Sequence, residues 1–308
     1  MNPAALAPAP VEQIADAILY EGYILYPYRA SALKNGQRWN FGVLYPPAYA
    51  AARHGSDAST MQCECLFRGG DGFRVTLRFL QLVTCNGGWQ EAIARQVEWN
   101  APGLHSFAFP EEQVRDGDVV RRQERVEGTI EVSRRDMDNG WSRISVTVTN
   151  RSPYRGADSP DWTAREAALR RSLVSLHAIL RVPGGEFASL LDPPEELRAL
   201  AAGCSNSGLW PVLAGDASSA DTMLASPIIL YDYPRIASES PGALFDGTEI
   251  DEILSLRILT LTDQEKREMR ETDPRARALL ERTEALDSEQ WMRLHGALRE
   301  PRDTKGVA

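Results

Sequence analysis

Two alternating runs meeting across Asp138-Asn139-Gly140 restrict this chain more than any other feature. In residues 141–148, Ile144, Val146 and Val148 alternate with Ser145 and Thr147, and residues 126–133 enter the same turn from the other side. A period of two with β-branched residues on one side describes a strand with one dry face, and Asn-Gly between two such runs is a hairpin turn. A hairpin alone is unstable, so further strands must cover that dry face.

The preceding residues supply them. Met61 to Phe67 and Phe73 to Val83 both alternate, with Phe73, Val75, Leu77 and Phe79 on one side of the second run. Residues 92–99 place Ile93, Arg95, Val97 and Trp99 on a shared face, Trp39 to Tyr45 reads as a strand closed by Pro46-Pro47, and Pro227 to Tyr233 as a short apolar strand. Leu173 to Val182 is apolar throughout, and its periodicity allows a buried strand or a helix. The expected fold is α+β: a mostly antiparallel β-sandwich or open barrel, with a short N-terminal helix and a helical C-terminal region.

The N-terminal helix follows from the spacing Val11, Ile14, Ala15, Ile18, Leu19, with Gly22 as its stop. Asp192 before Pro193-Pro194-Glu195-Glu196 reads as a cap and first turn. Thr262-Asp263-Gln264-Glu265 is a capping box, and helices are expected over 274–286 and 288–298. Residues 1–10 are Ala/Pro-rich and expected to be disordered. A β-rich domain is expected over 11–245, a helical region over 246–300 and a tail over 301–308, with a linker or long loop at 150–160.

A net charge of −9 opposes binding to phosphate backbones, which excludes general nucleic-acid binding. No apolar run reaches the ~18 residues of a membrane span. The first basic residue is Arg29, behind Glu12 and Asp16, so a cytoplasmic location is expected. Cys63, Cys65, Cys85 and Cys204 are too few for a disulfide framework and fit free, buried thiols. Cys63 and Cys65 share a strand face, which raises a thiol-based metal or redox carrier as one alternative, but their spacing matches no ligand pattern. Asp246, Glu249, Asp251 and Glu252 read as acids at a helix start rather than a cation site. The histidines His54, His105, His177 and His295 lie far apart, and no nucleophile elbow, phosphate loop or zinc-binding helix motif is present. No catalytic residue, metal ligand or cofactor is assigned.

The residues that point to function lie between Glu21 and Asp57, a stretch with no acidic residue. It holds Arg29, Lys34, Arg38 and Arg53 among Tyr23, Tyr26, Tyr28, Trp39, Phe41, Tyr45 and Tyr49. Arginine and aromatic rings are the types enriched at the centres of protein interfaces, and clustered charge steers partners. Tyr26, Tyr28, Arg29, Lys34, Arg38 and Trp39 are therefore the expected partner-binding residues; the competing reading is that the rings fill the core. Trp210, in Cys204-Ser205-Asn206-Ser207-Gly208-Leu209-Trp210-Pro211, is expected to rim a ligand site or pin a wide turn.

Several stretches form a recognisable set: Ile18-Leu19-Tyr20-Glu21-Gly22-Tyr23, Trp39-Asn40-Phe41-Gly42-Val43-Leu44-Tyr45-Pro46, Ser226-Pro227-Ile228-Ile229-Leu230-Tyr231-Asp232-Tyr233-Pro234 and Gly247-Thr248-Glu249-Ile250-Asp251-Glu252. With them the chain resembles, over nearly its whole length, a family encoded beside nickel–iron hydrogenases in actinobacterial and some proteobacterial gene clusters. The resemblance implies an accessory, maturation or complex-associated role, with a hydrogenase subunit or maturation factor as partner. It brings no catalytic residues with it. The expected function is non-enzymatic protein–protein contact; a sandwich module binding or processing a small anionic or sugar-like ligand is the alternative.

Overall fold

Alternation along the chain becomes two antiparallel sheets. A computed structural model describes residues 10–19, 39, 41–53, 57–86, 90–155, 162–216, 218–235 and, nearer the C-terminus, positions 263, 266, 267, 270, 277, 280, 281, 284 and 285. The chain divides into two units, residues 1–23 with 37–235, and residues 24–36 with 236–308.

In the first unit a five-stranded sheet runs β10 (Gly185–Phe187), β1 (Thr60–Gly69), β8 (Trp141–Asn150), β7 (Val126–Asp136), β4 (Gly103–Phe109). A seven-stranded sheet runs β11 (Trp210–Leu213), β12 (Thr222–Ser226), β9 (Val174–Arg181), β2 (Arg74–Thr84), β6 (Val119–Gln123), β5 (Glu112–Asp116), with β3 (Gln90–Trp99) on the other edge of β2. Cys63, Cys65 and Phe67 of β1 and Ile144, Val146 and Val148 of β8 share one apolar core with Val75, Leu77 and Phe79 of β2 and Leu176, Ala178 and Leu180 of β9. The arrangement is sandwich-like, mostly antiparallel β, with a short N-terminal helix.

The expected hairpin is β7–β8, which pairs without a break from Gly128↔Asn150 to Asp136↔Ser142. Its turn is a 3-10 turn, Asp138–Gly140, with Asn139 at φ 59 in the left-handed region that Asn tolerates. The run at 173–182, which allowed two readings, is strand β9. It lost its alternation because both faces are covered: Leu176, Ala178 and Leu180 face the main core while Ile179 packs under α1 (Pro10–Leu19).

α1 lies on the outer face of the larger sheet. Val11, Ala15 and Ile18 pack on Ile179, Ala214 and Leu224. The polar side of the same helix reaches the same sheet, with Glu12 pairing with Arg181 and Asp16 with Arg78. Ser175 Oγ donates to the Ile18 carbonyl at 2.8 Å, which occupies a carbonyl that the helix end leaves open.

β4–β5 and β6–β7 form one ribbon. Gly103 faces Val132 and Phe109 faces Val126; beyond a corner the same register resumes with Glu112 facing Gln123 and Asp116 facing Val119. Its β4–β7 half belongs to the smaller sheet, and its β5–β6 half joins the larger one just past the corner, through Val83↔Gln123 and Thr84↔Arg122.

Three expectations need correction. Residues 39 and 41–45 are not a strand: Trp39 (φ 65) and Gly42 (φ 52) turn the backbone, and among the described residues of the segment Leu44 alone makes bridges, to Ala58 and Leu173. Pro46-Pro47 does not simply close the segment, because Pro47 opens helix α2 (Pro47–Ala52), where its fixed φ suits the first turn. Residues 227–233 are irregular, the strand ending at Ser226. Asp192 is not the cap of the turn behind it: Pro194 is, without a side-chain bond, at the start of a 3-10 turn, Glu195–Leu197, that runs into α4 (Arg198–Ala202). One further helix, α3 (Trp162–Leu169), buries Ala164, Ala168 and Leu169.

In the second unit residues 263, 266, 267, 270, 277, 280, 281 and 284 are helical, and Leu280 is buried. Glu284 pairs with Lys266 at 3.2 Å and with Arg270 at 2.6 Å, and these donors hold its carboxyl below the ordinary range. Residues 1–9, most of 246–300 and all of 301–308 lie outside the described residues. No helix among the described residues is long and apolar enough to cross a membrane.

Candidate functional site

The corner of the ribbon leaves a cluster of polar side chains inside the fold, Gln81 and Gln123 among them. Bending a ladder frees backbone carbonyls that must find donors. Here side chains supply them: Gln81 Nε2 donates to the Glu124 carbonyl at 2.7 Å, and Gln123 Nε2 to the Pro110 carbonyl at 2.9 Å. Arg95 joins the two amides, donating from Nε to Gln81 Oε1 and from Nη2 to Gln123 Oε1, each at 2.9 Å, with its guanidinium 4.6 Å from the centre of the Phe109 ring. Burial pulls the Arg95 pKa down, against the pull of Glu112.

Beside this network the Glu124 carboxylate accepts from Arg170 Nε at 2.7 Å and from Arg171 Nε at 2.5 Å. Burial pushes its pKa up, but the two guanidinium groups outweigh that and hold it below the usual range. A cleft of about 670 Å³ opens at this point, lined by Glu111, Glu112, Arg122, Glu124 and Arg170 together with Thr84, Gln113 and Gln123. Sequence reading missed it, because Arg121-Arg122 and Arg125 alternate with acids and look like a solvated face. The signal that could have found it was Pro110 opposite Glu124-Arg125 inside a potential hairpin.

The acid-free tract is split. Tyr26, Tyr28, Arg29, Lys34 and Arg38 lie outside the described residues. Trp39, expected with them on a docking face, has its side chain buried, and its carbonyl accepts from Arg165 at 3.1 Å. Tyr45 and Tyr49 are also buried, their ring centres 5.0 Å apart, and Phe41 packs beside α1. Trp39, Tyr45 and Tyr49 build the interior, and Phe41 is half-buried against it.

Trp210 opens β11 opposite Ser226 and is half-buried. The loop before it is tied to β1: Ser207 and Gln62 exchange backbone hydrogen bonds of 2.9 Å, Glu64 N donates to Asn206 Oδ1, and Ser205 N donates to Glu64 Oε2. The loop therefore covers the edge of β1 that β10 leaves unpaired.

Burial pushes the Cys63 thiol up to about 12 and raises Cys65 and Cys204 as well, so these sulfurs stay protonated and pack as small apolar groups. Among the described residues no three His, Cys, Asp or Glu side chains are placed to hold a metal ion. His177 is fully buried, its Nδ1–H donating to the Ser175 carbonyl at 3.0 Å, and burial lowers its pKa to about 3.

No family model matches this chain. No curated protein matches it either.

A second feature of the surface was also missed. Residues 227–233 present Ile229, 68% exposed, and Tyr231, 88% exposed. The backbone that carries them is fastened immediately after Tyr231. Asp232 accepts from Leu213 N at 2.8 Å and from Ser189 Oγ at 2.5 Å, and Tyr233 N donates to the Leu213 carbonyl at 2.6 Å. Leu191, 51% exposed, belongs to the loop that Ser189 organises. Exposed aliphatic and aromatic side chains on a pinned backbone lose little entropy when a partner covers them.

Proposed function

We propose that this chain is a non-enzymatic accessory protein that acts by contact with another protein, in the setting its sequence resemblance implies: a nickel–iron hydrogenase subunit or maturation factor. The observation that carries this reading is Tyr231, an almost fully exposed ring held on a fastened segment with Ile229 near it in sequence. Tyrosine in such a position is the residue type that dominates interface energetics. The cationic tract, with Arg29 and Arg38, supplies the steering charge on a chain of net charge −9.

The test is co-purification with the neighbouring gene products. Tyr231→Ala with Ile229→Ser is expected to remove most of the captured partner, and Arg29→Glu with Arg38→Glu to reduce capture in a salt-dependent way, both with nearly unchanged Tm. Undiminished capture by both double variants rejects the reading.

The corner cleft favours a second reading, a module for a small anionic or sugar-like ligand. Arg122 beside Glu111 and Glu112 offers the donors and acceptors that a sugar acid requires. A uronic acid bound there should raise Tm in proportion to its occupancy, and Arg122→Ala should erase the rise. A flat response across uronic acids and neutral hexoses disposes of this alternative.

A further inference from the structure

The free edges of the two sheets are not alike. Natural sheets blunt an exposed edge by shortness, charge or proline, because its unpaired amides and carbonyls recruit other strands. β3 carries Glu91, Arg95 and Glu98; β5 carries Glu112, Arg115 and Asp116. β10 has three residues, and β11 has four with Pro211 among them. β4, the last strand of the smaller sheet, has seven residues, Gly103-Leu104-His105-Ser106-Phe107-Ala108-Phe109, with no Asp, Glu, Lys or Arg. Among the described residues nothing pairs with its outer edge. Leu104 is 67% exposed on it, and Ser106 and Ala108 on the same face are exposed as well.

We infer that β4 is a self-association edge: a second copy of this chain pairs with it antiparallel about a two-fold axis at Ser106, joining the two smaller sheets into one. The occupant follows from the residues themselves. Pro102 and Pro110 bracket the strand and cannot donate to a ladder, which confines pairing to the stretch between them. Within it the symmetric register sets Leu104 against Ala108, His105 against Phe107, and Gly103 against Phe109, with Ser106 facing itself. Large meets small on the outer face. On the inner face a ring meets a ring, and an aromatic covers the edge glycine, both favourable cross-strand combinations.

Charge agrees with this choice. On a chain of net charge −9 two copies repel almost everywhere, yet along this register no carboxylate meets a carboxylate. Carried past the corner, it sets Glu111 and Glu112 against Ala101 and Asn100. A closed two-fold pairing also uses up both edges, so it ends at a dimer rather than a fibre. What binds at Tyr231 has no bearing on this edge.

Sedimentation velocity and light scattering over a dilution series test it on the full chain. Wild type is expected to approach twice the 34.1 kDa mass of one chain as concentration rises. Ser106→Glu and Ser106→Lys each place like charges face to face across the axis and should weaken self-association by about tenfold or more. Mixing the two variants should restore a dimer of one copy of each. Ser106 is exposed, so both variants should keep the wild-type far-UV spectrum and Tm. A wild-type chain that stays monomeric throughout overturns the proposal and leaves the edge to a foreign strand. A dimer that persists in both single variants also overturns it, because the copies then meet elsewhere.

Discussion

Gly128→Ala is expected to destabilise the protein by about 2–3 kcal/mol, the upper part of the range for overpacking a core. Gly128 lies on β7 directly opposite Phe107 of β4. A Cβ there would stand 2.5 Å from Phe107 Cζ and 2.9 Å from the Thr149 carbonyl oxygen. The first contact could be relieved by moving the ring, but the second is with the backbone of β8, which is paired on both sides at Thr149, to Thr60 of β1 and Thr129 of β7, and has little room to give. Phe107 is also held, its ring centre 5.9 Å from that of Phe79 and 6.0 Å from that of Trp99. Glycine at 128 thus lets an aromatic ring lie flat across the ladder. Urea unfolding should register the loss, and Phe107→Leu in the Gly128→Ala background should recover part of it, a departure from additivity expected of touching residues. Equal stability of Gly128→Ala and wild type would mean that the ring does not occupy this space in solution.

Acid should weaken the fold through His177. The imidazole is fully buried, and its Nδ1–H is committed to the Ser175 carbonyl, which leaves Nε2 as a lone pair without a partner. A proton on Nε2 would put a second cation inside, opposite Arg78 on the neighbouring strand. Glu12 and Asp16 of the covering helix are already engaged by Arg181 and Arg78. Burial chiefly, with the Arg78 charge adding to it, lowers the folded-state pKa to about 3 from 6.5. The unfolded chain therefore binds a proton that the folded chain refuses throughout that window. Stability is unaffected above pH 6.5, falls as pH drops through the window, and stops falling below about 3. At about 1.4 kcal/mol per pH unit the full window amounts to on the order of 5 kcal/mol. His177→Gln keeps a donor for the carbonyl but cannot titrate, so its unfolding free energy at pH 4 should lie much closer to its value at pH 7 than wild type's does. Parallel pH profiles for the two proteins would assign the acid sensitivity to carboxylates instead.

The strands that could be read from the sequence are those whose two faces differ in polarity. Ile144, Val146 and Val148 alternate because the outer side of β8 is only half-buried, and β1 follows the same rule through Cys65; β2 is covered on both faces, and its alternation was legible only because Thr76 and Arg78 are polar. β9 concealed its type by being covered on both faces, and β5 concealed its existence by being exposed on both: in neither case does burial differ between successive side chains. Residues 39–45 looked like a strand because they are apolar, yet their apolarity serves ring packing while Trp39 and Gly42 turn the chain. Of the candidate surface residues, the tract drew attention by composition alone, and composition does not separate a buried tyrosine such as Tyr45 or Tyr49 from an exposed one. Tyr231 sat in a run that resembled a core strand. Its exposure depends on the Asp232 contacts with Leu213 and Ser189, which lie about 20 and 40 residues away and have no local signature. The corner cleft likewise depends on Gln81 and Arg170 reaching Glu124 from distant elements.

The ribbon that passes from the smaller sheet into the larger one has a mechanical meaning. Two layers held only by apolar contact can slide past each other or peel apart, since such attraction has no direction. Here one pair of strands is stitched into both, so a shearing force on either layer loads hydrogen bonds belonging to the other. The layers yield together or not at all.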